Sequence, residues 1–251
     1  MSLGREDRLK ELGLWPVWRQ RLAGGGDSEA SVPSMDSESA VDSESYEPNT
    51  EARAVSGDRP MGEVHGLDWN GLASAVASCT RCELHKSRTQ GVLGVGDRKA
   101  DWLVVGEAPG AEEDRQGQPF VGQAGKLLDA MLAAIGQARG RNVYIANVLK
   151  SRPPGNRDPQ PEEVEACLPY LERQIDLIQP RIILALGRFA AQSLLLTDTP
   201  IGRLRGRVHE YRGVPLVVTY HPAYLLRNPA DKAKVWEDLV LARRTMVSAQ
   251  K

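Results

Sequence analysis

Residues 102–122, WLVVGEAPGAEEDRQGQPFVG, join a short apolar run to a long polar loop. The apolar run predicts a buried β-strand at residues 102–106. The loop, residues 106–122, contains four carboxylates, four glycines, two prolines and Phe120, which is one of only two phenylalanines in the chain. This composition suits a core poorly, but glycines let a backbone approach a ligand closely. We therefore predict that the loop is an active site, with a solvated acidic loop as the simpler alternative.

Three further apolar runs, at residues 143–148, 181–186 and 214–219, are also predicted as strands. Helices are predicted at residues 123–135, 161–178, 187–196 and 230–247, and Pro161, Glu162 and Glu163 favour the first turn of the second of these. Continuous apolar strands that alternate with helices indicate an α/β fold with a mainly parallel, four-stranded sheet covered on both faces. Ligands bind such sheets beyond the carboxyl ends of the strands, where the loop lies.

The chain of 251 residues divides by composition into a tail and a folded domain. Residues 1–23 predict a short amphipathic segment, in which Trp15 and Trp18 either pack loosely on the body or form a docking motif for a protein partner. Residues 24–66 are rich in Ser, Gly, Asp and Glu and predict a disordered acidic linker. Residues 67–251 are predicted to be the folded domain.

The net charge of −1 conceals an uneven distribution. Residues 1–60 carry 7 Lys and Arg against 12 Asp and Glu, whereas residues 61–251 carry 25 against 21, a balance of +4. A mildly basic body is compatible with a nucleic-acid partner without requiring one. The sequence contains neither a run long enough for a membrane span nor a secretion signal, so we predict a soluble, cytoplasmic protein that does not contact membranes.

Three polar residues lie at or directly after the ends of predicted strands and are expected at one edge of the sheet. Glu107 comes one residue after its strand, Asn147 lies at the end of the next, and His221 follows the last. An asparagine amide can offer a donor and an acceptor to one base edge, or it can serve nearby backbone groups in a turn. A lone histidine is more often structural, but this shared location favours a functional role.

The neighbouring residues leave two interpretations open. Leu225 and Leu226, next to Arg227, either belong to the core or form an apolar wedge that unstacks bases. The cations that follow Asn147, which include Arg152, suit phosphates or a solvated rim equally well.

The chain has three cysteines, and two of them, Cys79 and Cys82, have the spacing of metal or cluster ligands. Cys167 lies in the first two turns of the predicted helix 161–178. Taken alone it could be a buried free thiol. Three thiolates are one fewer than the usual four of a [4Fe–4S] cluster.

Together these motifs resemble the family-four uracil-DNA glycosylases, the iron–sulfur class of that superfamily. The resemblance runs from about Cys79 to Trp236, through CTRCELHKSRTQGVLGVGD, GEAPGAEEDRQGQPFVGQAGKLLD, NVLKSRPPGNRDPQPEEVEACLPYLERQ and HPAYLLRNP. It implies a three-layer α/β/α sandwich, a monomer, and hydrolysis of the bond between uracil and deoxyribose after the nucleotide has rotated out of the DNA, as the first step of base excision repair.

The resemblance also implies roles for individual residues. Phe120 would stack on the flipped uracil, Asn147 would read its polar edge, and His221 would donate to O2 as negative charge develops. Glu107 would position the attacking water or stabilise the cationic sugar, and Glu113 would support the loop. The remaining implied contacts are substrate contacts from Gly106 and Ala108 and DNA contacts from Leu225, Leu226, Arg227 and Arg152.

The cluster is where this chain departs from the family. Cys79, Cys82 and Cys167 match three ligands of a [4Fe–4S] cluster, but Ser151 replaces the fourth cysteine. Oxygen is an uncommon cluster ligand. A labile or three-iron cluster, a substitute ligand such as His85, and no cluster all remain open. Two other functions are a catalytically inactive DNA-binding accessory module and an iron–sulfur electron carrier. The intact set Glu107, Phe120, Asn147 and His221 argues against the first, and the missing thiolate weakens the second.

Overall fold

The predicted strands form the centre of a six-stranded sheet in the computed structural model, which describes residues 62–248. The strands are β1 (Val95–Gly96), β2 (Trp102–Gly106), β3 (Val143–Asn147), β4 (Ile182–Leu186), β5 (Val208–Tyr211) and β6 (Val214–Thr219). Their order across the sheet is β1-β3-β2-β4-β6-β5. The four central strands β3, β2, β4 and β6 are parallel, so the prediction of a parallel centre is confirmed.

The sheet as a whole is mixed, which corrects the prediction of four strands. β1 pairs with β3 and β5 pairs with β6, both antiparallel, so each edge of the sheet carries a strand that was not predicted. β1 has only two residues, and β5 alternates between exposed and half-buried side chains. Neither forms the continuous apolar run that identifies a strand buried on both faces.

Four long helices match the predicted ones, with ends that differ by at most two residues. All helices in the described part of the chain are α1 (Gly62–His65), α2 (Trp69–Ala77), α3 (Ala111–Gln116), α4 (Gln123–Ala134), α5 (Pro161–Ile178), α6 (Arg188–Leu195), α7 (Ile201–Leu204), α8 (Pro222–Arg227) and α9 (Lys232–Ser248). The four that match the predicted helices are α4, α5, α6 and α9. Short 3-10 turns occupy Glu83–Lys86, Pro154–Asn156 and Pro229–Asp231. In the described part of the chain, no helix has the length and apolar character needed to cross a membrane.

Helices cover both faces of the sheet, which confirms the three-layer α/β/α sandwich. Successive side chains of a strand point to opposite faces. Leu103 and Val105 of β2 therefore pack with α5 and α6, whereas Trp102 and Val104 pack with α4 and α9. All these β2 side chains are almost completely buried.

The first turn of α5 is fixed by a buried carboxylate. Glu163 accepts a hydrogen bond from the Gln160 backbone N–H at 2.9 Å and forms an ion pair with Arg157 at 2.5 Å. Pro161 occupies the first helical position, as expected from the sequence. This arrangement ties the loop after β3 to the start of α5.

Residues 1–61 lie outside the described part of the chain, and with them the predicted segment 1–23 and most of the predicted linker 24–66. Helix α1 falls within the last residues of that linker. Its Val64 is 4% exposed and packs beside α2, and Arg173 Nε donates to the Leu67 carbonyl at 2.6 Å. Ordered packing therefore begins before residue 67.

The strand register brings the predicted site residues to one edge of the sheet. Gly106 of β2 lies opposite Asn147 of β3, and Leu186 of β4 lies opposite Thr219 of β6. The chain runs from β2 out to β3 and then returns to β4 on the other side of β2. Such a reversal opens a crevice at the carboxyl ends of the strands.

Candidate active site

A cavity of about 440 Å³ opens at this edge of the sheet. Its walls come from the loops that follow β2, β3 and β6. The lining residues are Glu107, Ala108, Pro109, Gly110, Glu113, Phe120, Ala124, Asn147, Pro153, Asn156, Arg157, His221, Ala223, Tyr224 and Arg227. The loop 106–122 therefore lies at a cavity together with the predicted residues of two other loops.

The base of the cavity depends on a close contact at Gly106. A Cβ atom at this position would lie 2.4 Å from Asn147 Oδ1 and 2.6 Å from Phe120 Cζ. Only glycine lets the Asn147 amide and the Phe120 ring approach the backbone this closely. The Phe120 ring is almost fully buried, and its centroid lies 5.5 Å from that of the His221 ring.

Asn147 is 2% exposed, and its Oδ1 has no hydrogen-bond partner among residues 62–248. Buried polar atoms without a partner are rare because their desolvation is costly. Asn147 also lines the cavity, so its unpaired amide oxygen indicates a place for a ligand that carries a hydrogen-bond donor.

Glu107 follows β2 and lines the same cavity, half-buried. Burial raises the pKa of its carboxyl to about 7, and the nearby Asp158 carboxylate acts in the same direction. Arg188 opposes this shift. Glu107 can therefore exchange a proton near neutral pH, as a catalytic carboxyl group often does.

His221 caps the N-terminus of α8, and its Nδ1 accepts a hydrogen bond from the Ala223 backbone N–H at 3.1 Å. An accepting Nδ1 carries no proton, so the neutral ring carries its proton on Nε2. Burial lowers the pKa of His221 to about 4, and the charge of Arg227 contributes to this shift. At neutral pH the residue is thus an uncharged hydrogen-bond donor at the cavity.

The four carboxylates of the loop occupy different environments. Glu113 Oε2 accepts from the Gly110 N–H at 3.1 Å, and its Oε1 accepts from the Val121 and Gly122 N–H groups at 3.0 and 3.3 Å. Glu113 therefore joins the two ends of the loop. Glu112 is exposed and pairs with Arg115.

Asp114 is buried, contrary to the simpler alternative of a solvated acidic loop. It is 4% exposed, and its carboxylate accepts from the Thr89 N–H at 2.9 and 3.0 Å and from the Gln90 N–H at 3.4 Å. Partners 24 or 25 residues away in sequence hold it, and local composition gives no sign of them. Asp114 anchors the loop to the segment after the 3-10 turn Glu83–Lys86.

Among the predicted DNA contacts, Leu225 is contradicted by the structure. Its side chain is 1% exposed and packs in the core between the sheet, α4 and α9, so it cannot serve as an exposed wedge. Leu226 is 48% exposed, and Arg227 lines the cavity. Arg152 is half-buried and donates to Asn156 Oδ1 at 2.7 Å.

Some lining residues were not predicted as site residues. Tyr224 lies in the first turn of α8, Asn156 and Arg157 follow β3, and Ala124 begins α4. Arg157 is one of the cations after Asn147 that suit phosphates or a solvated rim equally well by sequence. An Asn in a Pro-Gly-Asn turn is a weak sequence signal, although Asn156 does adopt a left-handed φ of 54°.

The structure brings the segments of the cysteine site together. The Cys167 thiol hydrogen bonds to Cys82, which lowers the pKa of Cys82 to about 6. Lys150 N–H lies 3.5 Å from Cys167 Sγ. Arg88 donates to Ser151 Oγ at 2.8 Å and to the Cys79 carbonyl at 3.0 Å.

Two of the three thiols, those of Cys82 and Cys167, are in contact, and Arg88 connects Ser151 to the Cys79 backbone. Ser151 is 4% exposed, and its hydroxyl is already bonded to Arg88. Within residues 62–248, no group of three or more His, Cys, Asp or Glu side chains is arranged to hold a metal ion. The thiolates of a cluster bind different iron atoms, so a cluster does not require them to meet at one ion.

Comparison with known proteins gives a consistent result. The sequence model of the uracil DNA glycosylase superfamily matches residues 93–240 of this chain. A type-4 uracil-DNA glycosylase of Archaeoglobus fulgidus is 52% identical over 166 residues, which cover 63% of this chain and 83% of that protein. A type-4 enzyme of Pyrobaculum aerophilum is 44% identical over 183 residues, covering 70% and 93%. A type-5 uracil-DNA glycosylase of Thermus thermophilus is 34% identical over 153 residues, covering 52% and 68%.

The Glu113 carboxylate and the three backbone N–H groups that it holds, those of Gly110, Val121 and Gly122, form a clamp that should stabilise the fold. Replacing Glu113 with alanine leaves three backbone N–H groups without their acceptor, and hydrogen bonds to a charged group contribute about 1.5–3 kcal/mol each. We expect Glu113→Ala to lower the free energy of unfolding by at least about 3 kcal/mol in urea denaturation. The matched control is Glu112→Ala, which removes a neighbouring exposed carboxylate and should leave the unfolding midpoint unchanged. Equal effects of the two substitutions would contradict the clamp.

Proposed function

Because this chain belongs to the uracil DNA glycosylase superfamily, among its type-4 members, we propose that it excises uracil from DNA by hydrolysing the N-glycosidic bond. The relatives described above are named uracil-DNA glycosylases, and they match most of the folded domain. A base inside a duplex cannot reach a cavity at a sheet edge, so the nucleotide must rotate out of the stack before reaction. The product is an abasic site, from which base excision repair proceeds.

The observation that carries this proposal is the unpaired Asn147 amide oxygen, facing the same cavity as the neutral His221 ring. A uracil edge presents an N–H donor between two carbonyl acceptors. The Asn147 oxygen would accept from the N–H, and the His221 Nε2–H would donate to O2. The Phe120 ring offers a flat apolar surface on which the base can stack.

The chemistry follows from where charge develops. As the bond between C1′ and N1 breaks, its electron pair leaves with uracil, and the sugar becomes oxocarbenium-like. The His221 Nε2–H stabilises the negative charge through O2, an interaction worth roughly 3–4 kcal/mol for a well-placed donor. The His221 ring already lacks a second proton, so it acts as a donor without transferring one.

Glu107 lies at the same cavity and is proposed to face the sugar in its ionised form. A carboxylate there opposes the positive charge on C1′ and can accept a proton from the attacking water. The water oxygen forms the new bond to C1′, and the proton it releases is taken up by Glu107 or by solvent. Glu113 supports both steps indirectly by keeping the loop closed.

We further propose which residues contact DNA and in which state and compartment the protein acts. Exposed Leu226 would enter the space left by the flipped nucleotide, and Arg227 and Arg152 would contact phosphates beside the cavity. The protein would act on DNA as a cytoplasmic monomer, with its N-terminal tail available to a protein partner. The basic balance of residues 61–251 supports the DNA contact.

We infer that Cys79, Cys82 and Cys167 hold an iron–sulfur cluster, with Ser151 as a weak fourth donor or none. When bound, the cluster would supply a covalent link between the segment after α2 and helix α5, and it would reach the loop after β3 only through Ser151. The type-4 relatives and the contact between the Cys82 and Cys167 thiols support this inference. Replacement of a thiolate by an oxygen donor predicts a cluster that is readily lost.

The activity is tested on a uracil-containing oligonucleotide, followed by alkaline cleavage at abasic sites. We expect strand breaks at uracil for the wild-type protein, and single-turnover rates at least tenfold lower for Glu107→Ala and for His221→Ala. Absence of breaks beyond the control would favour an inactive DNA-binding module. A near-normal rate in either variant would remove that residue from the mechanism.

The raised pKa of Glu107 predicts how excision depends on pH. If the ionised carboxylate is the active form, the single-turnover rate increases with pH through about 7 and is about tenfold higher at pH 8 than at pH 6. His221, with a pKa of about 4, stays neutral over that range and adds no inflection. The Glu107→Gln variant should be slow and independent of pH; the same inflection in this variant would exclude Glu107 as its source.

The cluster is tested by iron and sulfide analysis, with absorption spectra, of protein purified without oxygen. We expect iron in the wild-type protein and faster loss of iron in air than from Ser151→Cys, which restores a fourth thiolate. Iron-free protein that retains full activity would contradict the inference. Equal rates of iron loss in the two proteins would show that Ser151 is not at the cluster.

A further inference from the structure

Phe120 holds its ring at the cavity with an unusual backbone conformation. Its φ is 56°, in the left-handed region that bulky side chains rarely occupy. Such a conformation persists only where the surroundings hold it. The groups around the Phe120 backbone therefore control the direction of the ring.

Arg139 contacts this backbone through two hydrogen bonds. Its guanidinium donates from Nη1 to the Pro119 carbonyl at 2.9 Å and from Nη2 to the Phe120 carbonyl at 2.8 Å. The planar fork of an arginine fixes two acceptors at once, which a point charge cannot do. Because the two successive carbonyls are held in a fixed relation, the peptide between Pro119 and Phe120 cannot rotate freely.

Helix α4 also confines the Phe120 carbonyl. A Cβ atom on Gly125 would stand 1.8 Å from the Phe120 oxygen, so the helix backbone and the carbonyl are in direct contact. Arg139 is itself attached to α4, because its Nε donates to Asp129 Oδ1 at 3.0 Å. The Arg139 side chain is 25% exposed and does not line the cavity.

We propose that Arg139 is a positioning residue for base recognition, acting by fixing the Phe120 ring beneath the extruded uracil. The proposal rests on the proposed function, because it assumes that Phe120 stacks on the base. It adds a residue 19 positions away in sequence that touches neither the base nor the sugar. Loss of the fork would let the Phe120 peptide rotate and move the ring away from Gly106 and His221.

The test combines Arg139→Met, which keeps an apolar stem without donors, with inhibition by free uracil. Inhibition depends on the base pocket alone and not on the chemical step. Well below the melting temperature of the variant, we expect free uracil to inhibit about tenfold less strongly and single-turnover excision to slow by about tenfold. Arg139→Lys keeps the charge but not the two parallel hydrogen bonds of the guanidinium. It should weaken uracil inhibition and slow excision by a smaller factor, and it serves as the test if Arg139→Met does not fold.

Two further proteins separate positioning from stability. Asp129→Asn removes the ion pair but leaves the fork on the two carbonyls, and its rate should stay within about twofold of the wild type. In a Phe120→Leu background the aromatic ring is absent, so adding Arg139→Met should slow excision by no more than about twofold. A purely structural role would give the same fold loss in both backgrounds.

Three results would overturn the inference. Unchanged inhibition by free uracil in folded Arg139→Met or Arg139→Lys would show that the fork does not position the ring. An equal loss of rate with and without the Phe120 ring would assign Arg139 to stability alone. A wild-type protein that neither excises uracil nor is inhibited by it would overturn the proposed function, and this inference with it, whereas an active wild type with unaffected variants would overturn only the inference.

Discussion

The close contact between the Gly106 backbone, the Asn147 amide and the Phe120 ring is the constraint on which the site depends. The parallel register places Gly106 beside Asn147, and the absence of a side chain at Gly106 lets the ring lie against both. The left-handed conformation of Phe120 is part of this arrangement. Glu113 keeps the loop closed, and Asp114 attaches it to the segment at Thr89. The loop is thus held at several points, which gives the catalytic groups fixed positions before a base enters.

Burial acts in opposite directions on the two groups proposed to oppose the charges of the reaction. It raises the pKa of Glu107 to about 7 because desolvation disfavours the anion, and it lowers the pKa of His221 to about 4 because desolvation disfavours the cation. The result is a carboxyl group that is partly ionised near neutral pH and an imidazole that stays uncharged. A neutral donor that forms no ion pair with Glu107 leaves the carboxylate free to interact with the sugar.

The sequence predicts the centre of this fold well and its edges poorly, for physical reasons. Strands β2, β3, β4 and β6 are buried on both faces and appear as continuous apolar runs, whereas β1 is too short and β5 too exposed to do so. Glu107, Asn147 and His221 were predicted as site residues because each lies at or just beyond the carboxyl end of a strand. Leu225 was misplaced as a DNA contact, and the burial of Asp114 gave no sequence signal, because partners distant in sequence bury both side chains. Arg139 gave no signal, since its partners Pro119 and Phe120 lie 20 and 19 residues away in sequence.

The central claim is that one pocket reads uracil through Asn147, His221 and Phe120. A crystal structure of the protein with free uracil tests this claim most directly. The account predicts the base stacked on the Phe120 ring, with O2 within hydrogen-bonding distance of His221 Nε2 and the Asn147 amide at the polar edge. Uracil bound elsewhere, or bound in this cavity with O2 directed away from His221, would contradict it.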